Sequence, residues 1–387
     1  MISALLRSDS PHRFRLYVRD AAGAADVTLE ALGIEGGDAG RFDVVPIRRR
    51  RLWTHLGLGL EITWRPPDAL FVPAHVLPAT LAWPRRMRAA VTIHDVGFRH
   101  FPSAQPWRPR LYLDWSTAFA GWFADVLIAD SEATRRDLRH FYRVPAGRIR
   151  VAYPGPVPVL EVSDERRRAI LHRCRIGEGR PYVLHVGTRQ PRKNLRRLLR
   201  AWREVVDRLP QAGEGETPAT RLSNGAAACP SPVLVLAGAE GWGGEDLQAQ
   251  AAELGLDAVV RFAGYLSDAD KAALLRGASA LAFPSLHEGF GLPVLEAQSV
   301  GVPVVCSNSS ALPEVAGDAA VYVNPMDASD IARGLLAALN DTAARDELVR
   351  AGYRNVKRFS WDACARVVLD ALAAGRPLPR ATESRPA

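Results

Sequence analysis

Residues 283–318 read FPSLHEGFGLPVLEAQSVGVPVVCSNSSALPEVAGD. Two carboxylates, Glu288 and Glu296, stand eight positions apart, with Gly289-Phe290-Gly291 and then Leu292-Pro293 between them. A strand-like run at 278–284 precedes them, and 303–306 reads as the next strand. The pattern predicts a strand, a glycine loop and a short helix. Pro293 suits a first helical turn, where its missing N–H is not needed. The glycines let backbone approach a ligand closely, and a helix N-terminus favours an anion. Glu296 is expected in the first turn, within reach of hydroxyls on the same ligand. The chemistry suggested is a sugar–phosphate site: a diphosphate at one end, carboxylates for hydroxyl groups at the other. Two glutamates at this spacing, taken alone, are more often solvated helix charges.

Other segments offer matching chemistry. Residues 185–194, HVGTRQPRKN, follow a predicted strand and open a helix. A glycine turn, a helix start and basic side chains again favour an anion, although the glycine spacing is not that of a Walker loop. Lys193 is the candidate for neutralising a diphosphate leaving group; the alternative is an exposed basic turn. His185, within the strand, reads as a packed core histidine. Residues 91–98, VTIHDVGF, put His94 and Asp95 at a strand end, where a lone histidine is ordinarily structural. Asp95 either faces an acceptor or caps a turn. In Asp130-Ser131-Glu132-Ala133-Thr134, Ser131 is a good N-cap, and Arg135 follows. Residues 262–268, FAGYLSD, precede a helix, and Tyr265 either stacks on a base or packs. Asp268-Ala269-Asp270 sits at a helix start and is rejected as a metal site.

The chain has 387 residues, 48% of them hydrophobic, enough for two domains of ordinary size. No apolar run approaches a membrane span. The start, MISALLRSDSPHR, lacks the pattern of a secretory signal, so a cytoplasmic location is expected. Cys174, Cys229, Cys306 and Cys364 are widely spread and form neither a CxxC pair nor a zinc spacing. The net charge of +8 suits a nucleic-acid protein, or an enzyme for anionic nucleotide-sugars beside an anionic membrane. No zinc finger or aromatic RNA-binding signature accompanies the charge, so no nucleic-acid partner is expected. Arg48–Arg51, ahead of Leu52-Trp53, is either the solvated start of a helix or a contact with anionic lipid.

Strand patterns at 14–18, 43–47, 69–72, 90–94, 125–129 and 149–153 alternate with helical patterns at 51–64, 109–123 and 133–141. After the proline-rich segment 153–158 comes a charged helix at 164–172. A second alternating series then runs through strands at 182–187, 233–238, 259–263, 278–283, 303–306 and 320–323. Such alternation argues for α/β architecture with parallel sheets. Residues 211–231, rich in Ala, Gly, Thr and Ser, read as a mobile surface insertion.

The stretch 283–318, with its Glu, seven residues, Glu spacing, resembles the donor-site segment of retaining glycosyltransferases of family 4. So does its continuation to Asp327, and TIHD at 92–95 resembles the family's histidine segment. The resemblance implies a GT-B fold, two Rossmann-like domains facing a cleft. The acceptor-side domain would span 1–156 and the nucleotide-sugar domain 157–357. Residues 358–376 would be a helix crossing back to the first domain, and 377–387 a disordered tail. It also implies catalytic roles for His94, Lys193 and Glu288. Donor-binding roles would fall to Thr188, Arg189, Tyr265, Leu266, Gly289, Phe290, Gly291, Leu292 and Glu296, and acceptor-side roles to Asp95 and Arg135. No metal and no cofactor are implied.

The implied reaction moves a hexose, mannose or similar, from a nucleotide-diphosphate sugar to a glycan or lipid-linked acceptor in cell-envelope or polysaccharide biosynthesis. Configuration would be retained through same-face attack, since no carboxylate is placed for a covalent intermediate. Location would be cytoplasmic, with peripheral contact at the inner membrane face. One departure stands out: family members open with a strand and a glycine-rich loop, whereas residues 1–6 resemble the end of the helix that follows. That strand and loop are therefore expected to be missing. The alternative reading is a catalytically impaired homologue that binds only a nucleotide-sugar or a partner protein.

Overall fold

The computed structural model describes residues 1–19, 41–49, 51–102, 105–209, 231–241 and 246–373. The insertion expected at 211–231 lies outside these save for Ser231, and the tail at 377–387 lies wholly outside. The chain divides into two units. One gathers Met1–Val96, Leu111–Gly155 and Ser360–Ala387; the other gathers Gly97–Arg110 and Pro156–Phe359.

In the first unit the strands are β1 (Phe14–Val18), β2 (Phe42–Pro46), β3 (Ala69–Val72), β4 (Arg88–Ile93), β5 (Val126–Ala129) and β6 (Ile149–Val151). All pair in parallel, but in two sheets: β1 with β2, and β3-β4-β5-β6 in that order. β5 is buried throughout and β4 at all but its first residue, so both read as near-continuous apolar runs, as strands covered on both faces do. Helix Trp361–Ala373 packs Cys364, Ala365 and Val368 with Ala90, Val126 and Ile128. The pattern at 51–64 is not one α-helix. A π-helical turn, Trp53–Leu58, leads into a short α-helix, Gly59–Trp64. Two glycines and the β-branched Ile62 and Thr63 weaken α-helix in this segment.

The second unit holds β7 (Tyr182–Val186), β8 (Val233–Ala237), β9 (Val260–Gly264), β10 (Ala280–Phe283), β11 (Val304–Ser307) and β12 (Val321–Val323). They form one parallel sheet, ordered β12-β11-β10-β7-β8-β9. The order reverses between β7 and β10, which start opposite halves of the sheet. At such a switch point the loops leaving the strands' carboxyl ends diverge and leave a crevice. The core is apolar on both faces, with Trp202, Leu198 and Leu199 fully buried against Leu234 and Leu236. A Cβ at Gly238 would lie 1.9 Å from the Gly187 carbonyl oxygen, so only glycine allows β7 and β8 to end so close together. Cys174, Cys306 and Cys364 are buried free thiols, and burial pushes Cys306 up to about 12. Cys229 lies outside the described residues.

Candidate functional site

The neighbouring strands β7 and β10 run parallel, with Ala280 opposite Val183, so the loops after them leave from one edge of the sheet. The loop after β7 closes in a 3-10 turn, Pro191–Lys193, and Asn194 adopts φ 62° before helix Leu195–Arg208. The loop after β10 carries Glu288. Leu286 N–H donates to the Arg192 carbonyl at 2.8 Å, and Asn194 Nδ2 donates to the Pro284 carbonyl at 3.0 Å, locking the loops together.

Lys193 Nζ therefore meets Glu288 Oε1 at 2.5 Å, and Arg192 meets Glu288 Oε2 at 3.0 Å. Lys193 and Glu288 are each 7% exposed. Burial by itself would raise the Glu288 pKa, but the charges of Lys193 and Arg192 outweigh it and hold the carboxyl below its ordinary value. Two cations share one carboxylate, leaving an excess positive charge in a site of low dielectric. The Glu288 backbone N–H is held by Ser310 Oγ at 2.9 Å.

Gly291 caps helix Leu292–Ser299 with φ 113° and lies against Leu312, where a Cβ would come within 2.8 Å of Cδ2. Pro293 stands in the first turn, as its sequence position predicts. Glu296 does not: the helix begins at Leu292, which puts Glu296 in the second turn, buried to 5% exposure. Lys271 on helix Asp268–Gly277 reaches it, Nζ to Oε1 3.0 Å. Asp270 is held by Arg166 and Arg173.

The remaining donor-side candidates are placed variously. Arg189 runs alongside Glu240 and pairs with it at 2.9 Å. Thr188 lies between this bridge and the glycine turn. Tyr265, after β9, is 81% exposed with Leu266 beside it, so it is not a packing residue of this unit. Gly289 and Phe290 are buried, and the Phe290 ring meets Phe359 edge-on at 5.7 Å. His185 is a core residue: its Nδ1 bonds the Ala282 carbonyl at 2.9 Å, and burial lowers its pKa to about 4.

His94, Asp95 and Arg135 belong to the first unit. His94 leaves the end of β4 and Asp130 the end of the adjacent β5, and the pair meets at 2.7 Å through Nδ1. Nε2 lies 3.1 Å from the Pro73 carbonyl. The Asp130 hydrogen bond raises the His94 pKa, against burial, which lowers it. The Asp95 carbonyl accepts from His75 at 3.0 Å. Ser131 caps its helix, accepting from Thr134 N–H, and Arg135 pairs with Glu132 at 2.9 Å on the same helix.

Sequence reasoning passed over Arg192, Lys271, Asp130 and Ser310. Arg192 and Asp130 stand within quoted motifs, next to residues that drew the attention. Lys271 carries no local signal; only the packing of its helix brings it to Glu296.

The family model for "Glycosyl transferases group 1" matches residues 167–355, and that for "Glycosyltransferase Family 4" matches 6–156. The chain is 32% identical over 291 residues to the O-antigen chain mannosyltransferase B of Escherichia coli, covering 74% of this chain and 71% of that one. The chain belongs to the group 1 glycosyltransferases. It is also 31% identical over 258 residues to a D-inositol 3-phosphate glycosyltransferase of Nocardioides, spanning 53% of that protein's length. Among solved structures, sucrose-phosphate synthase from Thermosynechococcus elongatus superimposes with TM-score 0.68 at 18% identity, over 94% of this chain and all of that one. Anabaena HepE, solved with UDP and glucose, gives 0.67 at 18% identity, over 96% and 95%. The architecture of this glycosyltransferase is thus the two-domain, Rossmann-like GT-B fold. No helix among its described residues is long and apolar enough to cross a membrane.

Proposed function

We propose that this chain transfers a hexose, mannose or a close relative, from a nucleotide-diphosphate sugar to a growing polysaccharide or lipid-linked glycan, with retention of configuration. The observation that carries the reading is the Arg192–Glu288–Lys193 cluster, its lysine and carboxylate buried, an excess cation on the loop that leads to Gly291 and helix Leu292–Ser299. The reaction places growing negative charge on a diphosphate as the glycosidic bond to the donor breaks. Lys193, Arg192, the backbone at 290–292 and the helix N-terminus would stabilise that charge without reorganising. Glu288 orients these cations in the empty site and accepts from sugar hydroxyls in the loaded one. Glu296, held by Lys271, accepts from the ribose. His94, fixed by Asp130 through Nδ1, would exchange its Nε2 contact with the Pro73 carbonyl for a sugar hydroxyl, and Asp95 and Arg135 face the acceptor. Thr188, Arg189, Tyr265 and Leu266 line the phosphate and base ends of the donor. The names of the E. coli and Nocardioides relatives support a glycosyl donor, and the former supports mannose.

The exposed apolar side chains Leu52, Leu60 and Trp64, with Arg48, Arg49 and Arg51 exposed nearby in sequence, support peripheral contact with an anionic membrane. Vesicles containing phosphatidylglycerol would sediment the protein and phosphatidylcholine vesicles would not.

The principal test is transfer and hydrolysis across GDP-, UDP-, ADP- and dTDP-sugars, with the product anomer read by NMR. Glu288→Ala is expected to cut turnover by at least about a hundredfold. Full activity in both Glu288→Ala and Lys193→Ala would reject this site, and an inverted anomer would reject retention. A second reading, a protein that binds donor without transferring it, is favoured by the divided sheets of the first unit. Saturable donor binding with no turnover on any acceptor would support it.

A further inference from the structure

The loop that carries Glu288 lies outside every strand and helix, yet it is buried. Among residues 284–288 Leu286 is half-buried and the others are buried outright. Buried backbone groups need partners, and the two flanking loops supply them. On the β7 side, Asn194 Nδ2 donates to the Pro284 carbonyl at 3.0 Å and the Arg192 carbonyl accepts from Leu286 N–H at 2.8 Å. The Arg192 guanidinium donates to the His287 carbonyl at 3.1 Å.

On the other side β10 pairs in parallel with β11, Phe283 opposite Cys306, so their exit loops leave side by side. Serines after β11 hold the Glu288 loop in turn. Ser307 Oγ donates to the Ser285 carbonyl at 2.7 Å, and Ser309 Oγ to the Leu286 carbonyl at 3.3 Å. Ser310 Oγ accepts from the Glu288 N–H at 2.9 Å.

Ser310 differs from the other two serines in its backbone. Its φ is 55°, in the left-handed region. A Cβ is strained there and glycine is not, so such a conformation persists only where the surroundings hold it. Glycine would relieve the strain but has no oxygen for the Glu288 N–H. Leu312, two residues further on, lies against Gly291 beyond Glu288, so one segment supports both ends of the turn.

We propose that Ser310 is a positioning residue for the transfer reaction: its hydroxyl, held by a strained backbone, fixes the Glu288 amide and with it the place of the carboxylate between Lys193, Arg192 and the donor. Ser307 and Ser309 anchor the loop ahead of it. Ser310 acts through the Glu288 backbone, and a displacement of about 1 Å in a catalytic group can cost about a hundredfold in rate. This role rests on the donor-site reading above.

The test joins turnover, melting and amide exchange in the full chain. Hydrolysis of GDP-, UDP-, ADP- and dTDP-mannose is followed for the parent, Ser310→Gly, Ser310→Ala, Asn308→Ala and Glu288→Ala. Ser310→Gly is expected to melt at or above the parent temperature, because strain is relieved. Its Glu288 amide should exchange at least about tenfold faster, with β8 unchanged. Its kcat should fall at least about tenfold, with the donor KM within about threefold of the parent. Ser310→Ala keeps the strain and loses the acceptor, so it should melt below the glycine variant with a similar loss of kcat. Asn308→Ala, at an exposed side chain of the same loop, should change each rate by less than about twofold.

Full turnover in Ser310→Gly overturns the proposal. So does lost turnover with an unchanged Glu288 amide, or a loss that follows melting temperature across the variants, as a merely structural residue would give. An equal loss in Asn308→Ala also rejects it, since any disturbance of the loop would then suffice. Glu288→Ala separates the two readings. Full turnover there, or none in the parent, sinks the donor-site assignment and the role of Ser310 with it. Lost turnover there, with full turnover in Ser310→Gly, rejects Ser310 alone.

Discussion

Sheets of the same parallel kind end very differently in the two units. In the second, β7, β8, β10 and β11 each have a strand on both edges, and buried side chains run through all four. In the first, β4 and β5 are held in the same way, but β1 and β3 face a cavity. The candidate chemistry follows the continuous parts. Lys193 and Glu288 leave β7 and β10; His94 and Asp130 leave β4 and β5. Adjacent paired strands hold their exit loops at fixed separation, which lets two charges meet without the entropy cost of ordering free loops. The first unit thus combines a firm site-bearing half with an open flank.

The largest effect that would break this contrast lies at the buried pair. Lys193→Met leaves Glu288 buried with Arg192 alone and is expected to cost about 3–5 kcal/mol in urea unfolding. Arg135→Met in the first unit removes a half-exposed pair and should cost less than about 1 kcal/mol. Similar costs would mean that the second unit's cluster is no more buried in solution than a surface pair.

Next in size is a matched truncation. Leu234→Ala in β8, where the side chain is fully buried, should cost about 2–5 kcal/mol. Leu16→Ala in β1, half-buried at the cavity, should cost less than about half as much.

The smallest effect concerns protons. Asp130 raises the His94 pKa above 6.5, so their pair stabilises the fold fully below that pH. The contribution is lost as pH rises through the raised folded-state value, once His94 is neutral in both states. Asp130→Asn should lower the His94 midpoint seen by NMR, and its stability deficit should shrink as pH climbs through that window. A deficit independent of pH would show that Asp130 acts by packing alone.

Much of this was legible in the chain itself. The strands of both units fell within a residue or two of their patterns, because parallel strands buried on both faces are short apolar runs set off by glycine and proline. Lys193 and Glu288 were legible because each sits in a glycine loop after such a run. Glu296 was placed one turn too early, since the sequence does not mark where the left-handed Gly291 ends the loop. The segment 51–64 was read as one helix because its apolar spacing does not report the π-turn.

What the sequence determined by itself was local and periodic: α/β alternation, two series of strands, a basic glycine turn, and a carboxylate pair astride a helix start. Tertiary structure decided which of these groups meet. Lys193 reaches Glu288 across 95 residues, and Lys271 reaches Glu296 from a separate helix, because strand order and helix packing, neither written in local spacing, bring those elements side by side. It decided also that β1 and β3 belong to separate sheets and line one cavity, which the local pattern of neither strand records.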